Sequence, residues 1–101
     1  MSAQNHNQLE QEIVDRLQTV IDPETGADVL RMRLVEDLTV YDNGRVIYTF
    51  RPSSPLCPIA VYLVQQIKQA VAAVPGVTNQ TITVSDYAAA EELTKLINQE
   101  I

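Results

Sequence analysis

The sequence predicts a single α+β domain of α-β-β-α-β-α order, with a mixed three-stranded sheet carrying helices on one face. Three observations predict it. Apolar stripes at helical spacing occur near the start, in the middle and near the end of the chain. Two strand-like alternations flank Asp42-Asn43-Gly44, which reads as a hairpin connection. The central helical stripe then joins the second strand to a third, and such a crossover is right-handed and parallel.

The chain has 101 residues, 46% of them hydrophobic and 20% charged, enough for one core and not for two. Met1 to Asn7 is polar and uncharged and reads as a flexible N-terminal segment, followed by one domain over 8–101. The first helix carries Leu9, Ile13, Leu17 and Val20-Ile21 on one stripe. Asn7 with Glu10 three residues later resembles a capping box. Pro23 biases Asp22 away from helical geometry, so the helix is expected to stop near Ile21.

Leu38 and Val40 share one face of the first strand; Val46, Tyr48 and Phe50 share one face of the second. A two-residue loop at Asn43-Gly44 would split these sets across opposite faces. A three-residue loop, Asp42-Asn43-Gly44, pairs Val40 with Val46 and Leu38 with Tyr48, and Gly44 supplies the left-handed conformation it needs. Arg51 to Leu56, with two prolines and two serines, is loop. Pro58 suits the first turn of the central helix, whose stripe is Ala60, Leu63, Val64, Ile67, Ala70, Val71 and Val74. Pro75-Gly76 ends it. Ile82 and Val84 alternate with Thr81, Thr83 and Ser85 as the third strand, and Leu93, Leu96 and Ile97 mark the last helix. The sheet's second face is left to water or to another subunit.

Charge and composition exclude several classes of partner. A net charge of −6 repels phosphate backbones and anionic membranes, so neither nucleic acid nor a membrane is an expected partner. No signal-peptide pattern opens the chain, and its one cysteine cannot form an internal disulfide; the cytoplasm is the expected compartment. There is no paired-cysteine zinc or redox motif, no glycine-rich phosphate loop and no metalloprotease signature. The single histidine, His6, falls in the polar N-terminal segment, so Cys57 has no evident histidine partner.

Cys57 stands within Ser53-Ser54-Pro55-Leu56-Cys57-Pro58. With Pro58 at the first helical position, Cys57 would be the N-cap of the central helix, where unpaired N–H groups and the helix dipole favour a thiolate. The loop also follows the C-terminal end of the second strand, where parallel α/β units place their sites. The alternative is an inert cysteine tucked beneath the loop. Asp22-Pro23-Glu24-Thr25-Gly26 likewise reads two ways. It is a turn with Asp first and Pro next, or it presents Asp22 or Glu24 to the same pocket as Cys57. Arg31, Arg33, Arg45 and Arg51 are candidates for a cluster on one side.

Taken together, these stretches resemble the SufT-like/PaaD-like iron–sulfur cluster assembly family, from about Val14 to about Val84. Ile21-Asp22-Pro23-Glu24-Thr25-Gly26 resembles its opening Asp-Pro-Glu motif. Arg33-Leu34-Val35 falls where its Gly-Leu-Ile/Val stands, with Arg33 replacing the usual glycine. Gly44-Arg45-Val46 resembles the turn into its second strand. Ser54-Pro55-Leu56-Cys57-Pro58 matches its Thr/Ser-x-x-Cys-Pro signature, and Val74-Pro75-Gly76-Val77 its later turn. Tyr87 and an alanine-rich helix stand where a tryptophan-containing segment often follows.

The resemblance implies a non-enzymatic factor that helps build iron–sulfur clusters or deliver them to apo-proteins. Cys57 is the reactive residue and candidate iron or cluster ligand, and Asp22, Glu24, Ser54 and Pro58 are its neighbours. Clusters usually take four cysteine ligands, so a chain with one thiolate is not expected to hold one stably. A transient cluster, or one bridged across a homodimer, fits better. Other assembly proteins and apo-protein clients are the implied partners. The competing functions are an accessory role in maturing a multicomponent oxygenase, a thiol redox enzyme dependent on an external thiol, and an acidic adaptor in which Cys57 is incidental.

Overall fold

Leu9, Ile13 and Leu17 are spaced by one helical turn, and burying them together makes the first helix amphipathic; all three are within the core. The computed structural model describes residues 6–53 and 59–99. Its elements follow the predicted order: α1 (His6–Leu17), β1 (Val35–Val40), β2 (Arg45–Phe50), α2 (Ala60–Ala72), β3 (Asn79–Val84) and α3 (Ala90–Gln99). Among the described residues, no helix is long and apolar enough to cross a membrane.

α1 starts at His6, so Asn7 lies inside the first turn and not at its cap. The helix also ends four residues before Ile21. Val20 stays buried, but Ile21 is 47% exposed, because the chain has left the helix and Ile21 pairs with Asp28 in an isolated antiparallel bridge. The expected continuous stripe therefore stops at Leu17.

The sheet has strand order β1-β2-β3, with β1 antiparallel and β2–β3 parallel. Val40 pairs with Val46 across the three-residue loop Asp42-Asn43-Gly44, as the alternation requires. Further along, the register shifts between Glu36 and Thr39. Asp37 takes a left-handed backbone at φ 55°, so an extra residue bulges out and β1 changes phase. Val35, five positions from Val40, consequently reaches the same buried face and pairs with Phe50. Leu38 is only half-buried, and the expected Leu38–Tyr48 pair falls within the shifted register.

Val35, Val40, Val46, Tyr48, Phe50, Ile82 and Val84 thus make one apolar surface, covered by the helices. From α2 come Ala60, Leu63, Val64, Ile67 and Val71; Ala70 is half-buried. Each large aliphatic side chain buried this way contributes up to about 1.5–3 kcal/mol. Tyr48 crosses this core and its hydroxyl donates to Gln80 Oε1 at 2.8 Å. Burial pushes its phenol above the ordinary value, so the hydroxyl stays a neutral donor. Gln80 Nε2 in turn donates to the carbonyl of Lys68 on α2 at 3.0 Å. On the other face Thr39, Ile47, Thr49, Thr81 and Thr83 are exposed or half-buried.

α3 closes the outer edge of β3 through side chains. Asn98 accepts the Ile82 N–H at 2.9 Å and donates to the Ile82 carbonyl at 2.7 Å, in the way a neighbouring strand would. Thr94 Oγ1 accepts the Val84 N–H at 3.0 Å. Leu93 and Ile97 anchor the helix, whereas Leu96, expected on the same stripe, is 47% exposed. The carboxylates Glu91 and Glu92 are solvated.

At the far end of the hairpin, Gly44 has φ 91°. A Cβ there would run into the Gly76 carbonyl oxygen and lie 2.9 Å from Thr78 Cγ2. Gly44→Val is therefore expected to lower stability by roughly 2–4 kcal/mol in denaturant unfolding, since it combines left-handed strain with a backbone collision. An unchanged midpoint contradicts this packing. Asn98→Ala uncovers both groups of Ile82 and is expected to cost about 1–2 kcal/mol. Hydrogen exchange at Ile82 should quicken with it, and unaltered protection there refutes the edge-covering role.

Candidate functional site

Parallel pairing of β2 and β3 aligns Phe50 with Val84, and the antiparallel pair aligns Phe50 with Val35. Three connections therefore meet at one end of the sheet. The segment before β1 is tied in by Arg51 N–H to the Leu34 carbonyl at 2.8 Å. The segment after β3 is tied in by Ser85 N–H to the Phe50 carbonyl at 3.0 Å. The third connection leaves β2 through Arg51, Pro52 and Ser53 and returns at Ile59. It carries Ser54, Cys57 and Pro58, which lie outside the described residues. This is the carboxyl edge of the parallel strands, the usual place for a site in such sheets.

One expectation about this segment is corrected. The N-cap of α2 is Ile59, with φ −108° and ψ 14°, and its carbonyl accepts the Leu63 N–H at 2.9 Å. The described helix thus begins at Ala60 with Ile59 as its cap, where the proline pattern puts the start two residues earlier; Cys57 and Pro58 themselves lie outside the described residues. A first-turn proline is permitted, but permission does not fix where a helix begins.

Asp22 is the one buried polar or charged residue among those described, at 1% exposure. Its Oδ1 accepts the Glu24 N–H at 2.8 Å. Its carbonyl accepts from Thr25 at 3.3 Å and Gly26 at 2.8 Å, and its own N–H donates to the Ala27 carbonyl at 2.9 Å. Gly26, at φ 76°, completes the reversal. Asp22 thus organises its own turn, while Glu24 is exposed. Among the described residues, no three His, Cys, Asp or Glu side chains gather as a metal-binding group.

Backbone bonds lead from this turn to the root of the Cys57 segment. Val29 N–H donates to Val20, Leu34 N–H to Val29 and Arg51 N–H to Leu34, at 3.0, 2.9 and 2.8 Å. Between them, Asp28 Oδ1 accepts the Arg31 N–H at 2.9 Å and opens a helical turn that Arg33 closes at φ 60°. This accounts for the glycine usual at that position in the resemblance. A left-handed residue is required, and a side chain there costs about 1–2 kcal/mol.

Arg51 is the charged centre of the described part. Its Nε lies 2.8 Å from Asp86 Oδ2 and its Nη1 lies 3.4 Å from Glu36 Oε2. The guanidinium is half-exposed, so these pairs contribute little energy each, but together they tie the chain leaving β2 to the first residues of β1 and to the segment after β3. Beside it is an open depression of about 280 Å³, lined in part by Met32, Arg33, Glu36 and Ser53. Of the four arginines expected to cluster, Arg33 and Arg51 line this depression, while Arg45 starts β2 at the opposite end. A larger depression of about 390 Å³ lies between the end of α1 and α2, where Arg16 is the single charged lining residue. Thr19, Tyr62, Gln66 and Gln69 supply its other polar groups. Glu36 and Asp86 were not legible as partners of Arg51 from local sequence; only the strand register brings them together.

Comparison with known proteins extends this picture. The family model described as "Iron-sulfur cluster assembly protein" matches residues 10–84, a span that includes both the Asp22 turn and Cys57. An uncharacterized protein of Methanocaldococcus jannaschii is 27% identical over 90 residues, covering 89% of this chain and 95% of the relative. The Fe-S protein maturation auxiliary factor YitW of Bacillus subtilis is 32% identical over 74 residues, covering 73% of this chain and 72% of the relative. An Fe-S protein maturation auxiliary factor of Porphyromonas gingivalis is 34% identical over 70 residues, covering 69% and 67%. The crystal structure of a domain of unknown function, DUF59, from Bacillus anthracis has a TM-score of 0.71 at 27% identity, covering 91% of this chain and 90% of that one. With the family model spanning most of the sequence and the same fold in a solved relative, the chain belongs to the iron–sulfur cluster assembly protein family.

Proposed function

We propose that this protein is an auxiliary factor in iron–sulfur protein maturation, which hands a cluster or its iron to apo-protein clients through the Cys57 thiolate. The observation that carries the reading is the family match across residues 10–84, which contains the Ser54-Pro55-Leu56-Cys57-Pro58 signature. Two relatives above 30% identity bear the name of maturation auxiliary factors, which supports the same role here.

Ligand exchange explains why a single thiolate suits this task. A cluster needs about four protein or thiol ligands, and this chain supplies one cysteine. The cluster is therefore cargo. Its remaining ligands come from a second copy, a small thiol or a partner assembly protein, and the cysteines of the client displace all of them. No covalent bond of a substrate is turned over, so the role is non-enzymatic. Asp22 shapes the turn that leads to the root of the Cys57 segment, and Glu24 offers an exposed carboxylate to cargo or client. Ser54 and Pro58 frame the cysteine in sequence. A lone thiol also suits a reducing compartment such as the cytoplasm.

The test is transfer to an apo-ferredoxin under anaerobic conditions, with iron and sulfide supplied. Wild-type protein should speed the arrival of the cluster's visible absorption on the acceptor. Cys57→Ser should lose that acceleration while its unfolding midpoint moves by less than about 1 kcal/mol, because one sulfur becomes one oxygen. Equal transfer by two well-folded proteins overturns the thiolate mechanism. It would leave an adaptor, or an accessory factor for a multicomponent oxygenase, as the better description.

A further inference from the structure

We propose that Asn43 is a spontaneous deamidation site that the native hairpin turn holds closed and that opening of the turn releases. Asn43 is the one asparagine in the sequence followed by glycine. With no side chain on the next residue, its backbone nitrogen is free to approach the asparagine side chain. In the reaction, the Gly44 nitrogen bonds to Cγ of Asn43 and the Cγ–Nδ2 bond breaks. Ammonia leaves, carrying away the amide proton. Water then opens the cyclic imide to aspartate or to its β-linked isomer.

The structure restrains every group this step must move. The peptide between Asn43 and Gly44 is held on both sides: its N–H donates to the Tyr41 carbonyl at 2.9 Å, and its carbonyl accepts the Thr78 hydroxyl at 2.9 Å. The side chain is held as well, since Asn43 Oδ1 accepts the Arg45 N–H at 3.0 Å. Gly44 is further pinned by its carbonyl, which accepts the Thr78 N–H at 2.9 Å, and by its close packing on Gly76. The nitrogen cannot turn toward Cγ while it donates to Tyr41. Asn43 is nevertheless exposed, so water reaches it once the turn opens.

The two products differ in their consequences. Aspartate keeps an oxygen for the Arg45 N–H and adds one negative charge to a chain already at −6. The β-linked isomer inserts a backbone carbon, so Gly44 cannot keep both its bond to Tyr41 and its seat against Gly76. Each opening that ends in isomerisation therefore removes a molecule from the refoldable pool.

The experiment incubates the full chain at mildly alkaline pH, native and in concentrated guanidinium chloride, and follows amide-to-acid conversion by peptide mass spectrometry. Asn79 and Asn98 serve as internal references. Conversion should localise to Asn43 and run at least about tenfold slower in the native protein, as expected of a step that requires local opening. Thr78→Val removes the hydroxyl that holds the Asn43 carbonyl, and should speed native conversion several-fold while leaving the denatured rate unchanged. Equal native and denatured rates in the wild-type protein overturn the gating. Absence of conversion at Asn43 in denaturant overturns the site.

Discussion

The parallel pairing of β2 with β3, unbroken from Arg45–Asn79 to Phe50–Val84, is the constraint from which the remaining architecture follows. Parallel neighbours cannot be joined by a tight turn, so the chain must travel back along the sheet, and α2 is that return. Because α2 packs on the face bearing Val46, Tyr48 and Phe50, its apolar stripe has to be continuous, and it is. The same pairing decides where the chain leaves the sheet toward the cysteine-bearing segment. A crossover that leaves β2 at Phe50 must begin at the carboxyl edge of the sheet, beside the ends of β1 and β3. The point at which that segment departs is thus a consequence of sheet topology.

Three strands have two edges, and the protein protects them by different means. β3 is covered by α3, whose Asn98 and Thr94 side chains occupy backbone groups that a fourth strand would otherwise take. β1 carries the bulge at Asp37, which breaks the flat run of N–H and carbonyl groups and leaves the Asp37 carboxylate exposed on the strand. The bulge also has a core function. By changing the phase of β1 it brings Val35 onto Phe50, so one local irregularity both roughens the edge and extends the apolar face.

What could be read from the sequence was whatever depends on period and on turn chemistry. The stripes of α1 and α2, the three-residue hairpin loop and the alternation of β3 all rest on spacing that a linear reading contains. The resemblance added the family, which the family model supports. What could not be read depends on register and on local competition. The bulge at Asp37 has no periodic signature, so alternation alone does not put Val35, five positions from Val40, on the same face. Ile21 and Leu96 fit helical stripes but are exposed, one because a short bridge replaces the helix, the other because α3 reaches the core along the narrower line of Leu93 and Ile97. The start of α2 was placed by the tolerance of proline for a first turn, which sets no boundary. The Arg51, Glu36 and Asp86 association joins residues far apart in sequence, and only the strand pairing makes them neighbours.

Asp22 shows how the two kinds of information meet. As a turn residue it is ordinary in type and unusual in burial, with one carboxylate oxygen committed to the Glu24 N–H. A buried carboxylate held this way fixes a loop without a large hydrophobic anchor, which matters in a chain with few aromatics. The loop it fixes leads by successive backbone bonds through Val29 and Leu34 to Arg51, where the Cys57 segment departs. In the proposed reading, that firmness supports a weak and exchangeable contact. A factor that must release its cargo gains from a single thiolate, because tight coordination would retain the cluster. It still gains from a rigid base, because orientation toward a client is then settled before the ligands exchange. Many small turn bonds at the base and few ligands at the tip meet both requirements.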